Sequence, residues 1–368
     1  MLKLAVLLVL IFYVADCIAE QGVSAKKIKL GMSNALTGPA AKLGLELKKG
    51  SLAYFHKLNK TGGIHGREVE LISLDDAYEP IHTVANTHQL IAKQVFALFG
   101  YVGTPTSHAV MSIIKYKQIP YLMPFTGAKF LRTPTQKNIF NLRASYAQEA
   151  QVQVNYLVEK QHFKNIALVI QADEFGLAAE AVFTQSLSSY NLNPVVVARF
   201  QRNSNDIDKV LVKLLQQPVD AVIFVGTYQP FTSLINQGFA KGFNPYYSSL
   251  SFIASKEVFS ELSQPSKILI TEVVPNPDSC QWQVCKQFRA DMKSAGHNEL
   301  NRIQFEGYLN ALVFAQAAKQ CAIELNRECL IAQLEQFSLS NLTMPIQFSA
   351  NNHQGSQQVY LSLSDAVN

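Results

Sequence analysis

Short runs rich in β-branched and aromatic residues alternate along this chain with longer amphipathic stretches, and that βαβα rhythm restricts the fold more than any other feature. Strands are expected at Ile28–Ser33, Val69–Leu74, Val95–Phe99, Tyr121–Phe125, Ile166–Gln171, Val195–Phe200, Ala221–Val225, Tyr246–Leu250 and Ile268–Val273. Nearly all are apolar on both faces, as a parallel sheet covered by helices requires. Between them lie helical stretches such as Leu45–Asn59, with Leu45, Leu52, Phe55 and Leu58 near one stripe. Lys60-Thr61-Gly62-Gly63 ends it, because glycine takes the left-handed conformation that stops a helix. Four strands precede an irregular passage, Asn138–Ala147, and five follow it. Helices are then expected over 281–295, 302–322 and 327–337, and a final hairpin from Pro345–Phe348 to Val359–Ser362 around Asn351–Gly355. A chain of 368 residues suits two domains of about 150 residues each, and the lack of a Pro- or Ser-rich linker suggests that they interleave.

At the N-terminus, Lys3 precedes an apolar run from Leu4 to Ala15 and the small-residue stretch Cys17-Ile18-Ala19, the pattern of a secretory signal peptide. Such a run rises only about 18 Å as a helix, short of a hydrocarbon core of about 30 Å. Cleavage is expected after Ala19, with Ala25 the alternative. No later run approaches the length of a membrane span, so a product soluble outside the cytoplasm is expected. Export permits oxidation of the remaining Cys280, Cys285, Cys321 and Cys329; of the connectivities open to four cysteines, 280 with 285 and 321 with 329 is the simplest. A zinc site lacks both a Cys-x2-Cys pair and a nearby histidine. The net charge of +5 holds no run of five like charges, which argues against nucleic acid and polybasic membrane contacts.

Catalytic motifs are sparse in the sequence. Gly31-Met32-Ser33-Asn34-Ala35 approaches a nucleophile elbow, but Ala35 replaces its last glycine; an exported serine hydrolase on Ser33 is the third reading. The zinc-peptidase, P-loop and dinucleotide motifs are missing, and no cofactor or metal is expected. His82 and His88 fall on different helix faces. Asp75-Asp76 is a paired carboxylate, read first as one capping and one exposed aspartate. Ligands are better served by Gly100–Ser107, at the carboxyl end of a buried strand, where Thr104, Thr106 and Ser107 offer hydroxyls to a carboxylate. Pro124–Ala128 and Gly226–Pro230 are two further turns of that kind, and together they point to a cleft between lobes.

The segments Ile28–Ala40, Gly62–Glu70, Asp75-Asp76, Phe99–Ser107, Ala172–Gly176, Val225–Pro230 and Phe348–Gly355, in this order, resemble the periplasmic binding proteins of branched-chain amino acid ABC transporters over essentially the whole mature chain. The resemblance implies a type I periplasmic binding fold: two interleaved doubly wound α/β lobes, joined by three crossovers, that close on a ligand about a hinge. Lobe 1 is expected to hold 26–143 and about 276–337, lobe 2 144–275 and about 338–368. The implied function is that of an exported, periplasmic, non-enzymatic monomer that delivers an amino acid or related carboxylate to an ABC permease in the inner membrane; a sensory protein feeding a receptor is the alternative. By position, Thr104 meets the ligand carboxylate with help from Phe125, Thr126 and Gly127, Tyr228 meets the α-ammonium, and Phe175 closes over the ligand.

Three departures stand out. Gly127 falls where a second carboxylate-binding threonine is expected, with Thr126 one residue earlier, and Leu43 replaces an aromatic in the first loop. Ser251 replaces the glutamate that neutralises the α-ammonium, and a buried ammonium without a carboxylate is costly. A ligand lacking the ammonium is therefore expected to fit better, unless helix 302–322 brings Glu306 to the cleft.

Overall fold

The computed structural model describes residues 20–322, 324–339 and 344–364; the expected signal peptide, residues 1–19, lies outside them. Among the described residues eleven strands are formed: β1 (Lys27–Asn34), β2 (Glu68–Asp75), β3 (Ala97–Phe99), β4 (Tyr121–Leu122), β5 (Ile139–Phe140), β6 (Ile166–Gln171), β7 (Val197–Phe200), β8 (Ala221–Val225), β9 (Tyr246–Ser249), β10 (Ile268–Glu272) and β11 (Tyr360–Ser364). Between them run α1 (Ala41–Lys60), α2 (Pro80–Ala92), α3 (Thr104–Ala109), α4 (Met111–Lys117), α5 (Tyr146–Asn155), α6 (Glu174–Ser188), α7 (Asp208–Leu215), α8 (Tyr228–Ala240), α9 (Ser255–Glu261), α10 (Gln283–Ser294), α11 (Arg302–Lys319) and α12 (Arg327–Glu335). The first sheet has the order β2-β1-β3-β4-β5 and is parallel throughout. The second runs β11-β10-β9-β8-β6-β7, parallel except that β11 lies antiparallel to β10. The expected doubly wound α/β class is what the chain forms, twice over.

The nine expected strands all occur, with β3 and β4 shorter than their apolar runs. Sequence reading missed β5, whose two residues lie inside the passage expected to be irregular and are too few to show a period. The expected stripe on α1 is corrected: Leu45 and Leu52 are exposed, and Leu43, Leu47, Phe55 and Leu58 are buried. Glycines set that face. A Cβ at Gly50 would stand 1.8 Å from the Gln304 carbonyl oxygen and one at Gly307 2.1 Å from that of Leu47, so α1 and α11 touch backbone to backbone. Ser51 Oγ spans the contact, donating to the Gly307 carbonyl at 2.9 Å.

The final hairpin is also corrected. β11 pairs with β10, while Gln347 bridges back to Ser338 and Gln354 to Asn141. Of the stretch expected in the second lobe from about 338 onward, Met344, Ile346 and Phe348 instead join the core around the first sheet, where Phe348 meets the Phe140 ring at 5.5 Å. β11 then returns to the second sheet. The two short-range disulfides, Cys280–Cys285 and Cys321–Cys329, are formed.

The lobes are in contact. One apolar cluster takes Leu43, Leu47, Tyr78, Val102 and Phe125 from the first lobe and Leu168, Phe175 and Phe252 from the second. Arg202 pairs with Glu79 at 2.7 Å, and Asn203 donates to the same carboxylate at 2.7 Å.

Candidate functional site between the lobes

In each sheet the strand order reverses once, between β1 and β3 and between β6 and β8, and ligands of open α/β sheets collect beyond the carboxyl ends of the strands at such points. Thr104 follows β3 at that position. The turn before it passes through Gly103 at φ 111°, where a Cβ would lie 2.4 Å from the Tyr78 ring, so glycine there lets Tyr78 seat against the loop. Thr106 does not face outward as expected: its hydroxyl donates to the Val102 and Gly103 carbonyls, and Ser107 is taken up by the Tyr121 hydroxyl at 2.8 Å.

Thr104 Oγ1 lies 2.7 Å from Thr126 Oγ1 and 3.1 Å from the Tyr146 hydroxyl, and Thr126 Oγ1 lies 3.1 Å from that hydroxyl. These three oxygens form a buried triangle. Each can both donate and accept, so together they can turn their hydrogens toward an anion. Gly127 is the reason Tyr146 reaches them, since a Cβ there would meet the tyrosine ring at 2.4 Å, and its carbonyl accepts the Tyr146 N–H at 2.9 Å. Burial is the main cause that pushes the Tyr146 hydroxyl pKa up, opposed by the charge of Arg143.

Arg143 sits in the crossover between β5 and α5, fully buried, with its guanidinium 3.9 Å above the Phe125 ring. Its Nη2 donates to Ser251 Oγ at 2.9 Å and to Glu306 Oε2 at 3.3 Å, and its Nε lies 3.1 Å from Glu306 Oε1. Ser251 in turn gives Glu149 both its N–H, at 2.8 Å, and its hydroxyl, at 3.0 Å, and Thr271 donates to Glu149 at 2.7 Å. Helix α11 therefore does bring Glu306 to the cleft, but its charge is met by the chain's own Arg143. Burial pushes the Glu306 carboxyl up to about 7, with Glu149 and Glu272 adding to the rise and Arg143 opposing it. Arg132 backs this group, donating to the carbonyls of Ala128, Thr126 and Arg143; burial, then repulsion from Arg143, brings it down to about 9.

Phe252 enters from the second lobe, its ring centroid 4.8 Å from Phe175, 5.8 Å from Tyr78 and 5.8 Å from Phe125. Phe175 also meets Tyr146 at 5.3 Å. Near Ser251, a cavity of about 630 Å³ is lined by Ser255, Glu257, Glu272, Asn301 and Arg302 among others.

The sequence-derived residues thus divide. Thr104, Phe125, Thr126, Gly127, Phe175 and Ser251 come together. Tyr228 does not join them: it opens α8, packs with Phe224 and Phe231 on the other face of the second sheet, and feels Glu261 and Glu257 of α9. A strand end places a residue near a crevice without fixing the direction of its side chain, and here the ring turned inward. Asp75 and Asp76 are structural. Asp75 holds the first loop through Leu36 N, Thr37 and Ala77 N, while Asp76, buried and pushed up to about 6 mainly by that burial, accepts from Ser33, Tyr78 N and Thr83. The Ser33 hydroxyl is spent on that bond and is inaccessible, which removes it as a nucleophile. Among the described residues no group of three or more His, Cys, Asp or Glu is placed to hold a metal ion.

A pair of α/β lobes meeting around a buried cluster of hydroxyls defines a two-lobed binding protein. Residues 27–365 match the periplasmic binding protein family, and the chain belongs to it. It is 25% identical over 199 residues to Leu/Ile/Val-binding protein homolog 3 of Brucella melitensis, a match covering 54% of this chain and 54% of that protein. The chain thus spans about half the length of that curated relative. A possible leucine/isoleucine/valine-binding protein from Rhodopirellula baltica superposes with a TM-score of 0.87 at 32% identity, over 93% of this chain and 95% of the other. A branched-chain amino acid ABC transporter protein from Thermus thermophilus with bound valine shares the fold, with a TM-score of 0.83 at 16% identity over 94% of each chain.

Sequence reading missed Arg143, Tyr146, Glu149 and Phe252. The first two stand in the passage expected to be irregular, where one arginine among apolar residues was the available signal: a cation destined for burial needs a partner. Phe252 directly follows Ser251, and an apolar residue there has the same local pattern as any core position.

Proposed function

We propose that the chain is an exported solute-binding protein that captures a small carboxylate between its lobes and hands it to the permease of an ABC transporter in the inner membrane. The observation that carries this reading is the buried triangle of Thr104, Thr126 and Tyr146 hydroxyls facing Arg143, a donor set for one carboxylate made at the meeting of two lobes. The names of the relatives argue for an amino acid. The surroundings of Ser251 favour an acid without the α-ammonium: Glu306 is ion-paired with Arg143, and Glu149 already accepts three hydrogen bonds from the neutral Ser251 and Thr271. Glu149 has no cationic partner among the described residues, so an ammonium arriving there is served only by sharing that carboxylate with Ser251 and Thr271. Periplasmic residence rests on cleavage after Ala19: Glu20 already accepts the Arg327 N–H at 3.1 Å and Val23 bridges Ile28, so cutting after Ala25 would remove ordered chain.

A thermal-shift screen of the mature chain against leucine, isoleucine, valine and their deaminated acids tests the reading. A ligand at about 100 times its Kd stabilises by about 2.7 kcal/mol. Shifts with the acids are expected; shifts confined to the amino acids would overturn the assignment of ligand class, and no shift with either would overturn capture of a small carboxylate.

A further inference from the structure

The space between the hydroxyl triangle and the second lobe is filled by the chain itself. Phe252 lies in the short turn Ser251–Ile253, fully buried, with its ring held among Tyr78 and Phe125 of the first lobe and Phe175 of the second. It is thus a second-lobe side chain reaching across to first-lobe rings. The backbone beyond it turns through Ala254 at φ 59°, a left-handed conformation uncommon for a residue with a Cβ, before α9 begins. Beside the cage, Arg143 is 1% exposed and its Nη1 has no hydrogen-bond partner among the described residues. A buried guanidinium N–H left over in this way calls for an acceptor.

We infer that Phe252 is an intramolecular stand-in for the ligand, and that the solute is a small aryl carboxylate whose ring takes the place of Phe252 among Tyr78, Phe125 and Phe175 while its carboxylate meets the hydroxyl triangle and Arg143 Nη1. This rests on the proposed capture of a carboxylate between the lobes and names the chemical class that the site selects. The cage is already closed around a phenyl ring, with centroid separations of 4.8 to 5.8 Å that suit edge and tilted ring contacts. An isopropyl or isobutyl group in the same place leaves part of those ring faces uncovered, and interiors do not tolerate such gaps cheaply. An acid also adds an acceptor beside Arg143 Nη1, a donor that lacks one. Phe252 sets selectivity twice over: it must leave for the ligand to enter, and only a group that restores its contacts offsets that departure.

The test uses the mature chain, phenylacetate as aryl probe and 4-methylpentanoate as alkyl probe, in calorimetric titrations of the wild type, F252A and F252L. Phenylacetate is expected to bind the wild type at least tenfold tighter than 4-methylpentanoate, and F252A to bind phenylacetate about tenfold tighter than the wild type, with F252L between. Spin labels on the exposed Lys115 and Gln185, one in each lobe, report the second half of the claim without any ligand. Their separation is expected to broaden and lengthen in F252A and to stay short in the wild type. Tighter binding of the alkyl acid, or an F252A protein that binds phenylacetate no better and keeps the wild-type separation, overturns the inference about Phe252. If no acid binds any variant, the proposed capture of a carboxylate fails instead, and the label distance still decides whether Phe252 holds the lobes together. F252L guards against a misfolded F252A, because it keeps the apolar volume and loses only the ring.

Discussion

Replacing Arg143 with methionine probes the charge network that joins the hinge to both lobes. The substitution keeps an apolar stem over Phe125 but leaves Glu306, 3% exposed, facing Glu149 and Glu272 without its cation. Removing one partner of a buried pair costs about 3–5 kcal/mol. The size of the loss depends on pH, and the sign follows from Glu306. Its carboxyl stands at about 7 in the fold against an ordinary 4.5, and losing Arg143 raises it further. A carboxyl whose folded value exceeds its open-chain value withdraws stability as pH rises between the two. Near pH 5.5 Glu306 is neutral in both proteins and the variant loses about 1–2 kcal/mol, whereas near pH 8.5 it loses the full amount. Urea unfolding followed by circular dichroism at those two pH values measures this, and the double variant with Glu306→Gln should recover most of the loss, a coupling of about 2 kcal/mol. A loss below about 1 kcal/mol near pH 8.5, or one that does not change with pH, refutes the assignment of this pair as a desolvated ion pair.

Other outcomes follow from the same geometry. Gly50→Ala drives a Cβ into the Gln304 backbone and should cost about 3 kcal/mol by thermal unfolding, with a similar loss for Gly307→Ala. Glu79→Gln removes the ion pair to Arg202 across the mouth of the cleft; both groups are partly exposed, so affinity for the solute should fall only about two- to fivefold in titration. Reducing both disulfides should lower stability by about 2–3 kcal/mol per bridge without abolishing the far-ultraviolet circular dichroism signal, since each closes a short loop.

The doubly wound architecture was legible because buried parallel strands leave continuous apolar runs, and the expected Ile166–Gln171 and Ala221–Val225 match β6 and β8 to the residue. Two-residue β5 left no such trace, and the face of α1 was misread because glycines against α11, rather than the leucines, decide which side is buried. Loops at strand ends marked Thr104 and Thr126, since small and hydroxyl residues after a buried strand have a local cause, whereas Phe175 came only from the family resemblance. Arg143 and Phe252 act through partners more than 100 residues away, Glu306 for one and Phe125 for the other, and a single sequence carries no sign of such pairings. Tyr228 shows the converse: its position was inferred from the chain, and its direction was set by packing against Phe224 and Phe231.

Titration calorimetry of Thr104→Val beside the wild type, with phenylacetate as ligand, tests most directly whether a carboxylate is held by the hydroxyl triangle. Valine keeps the shape and removes the oxygen that bonds both Thr126 and Tyr146. An affinity at least tenfold weaker, about 1.4 kcal/mol, is expected, with the melting temperature of the protein alone within a few degrees of the wild type. Equal affinity in the two proteins would contradict a carboxylate held by the triangle.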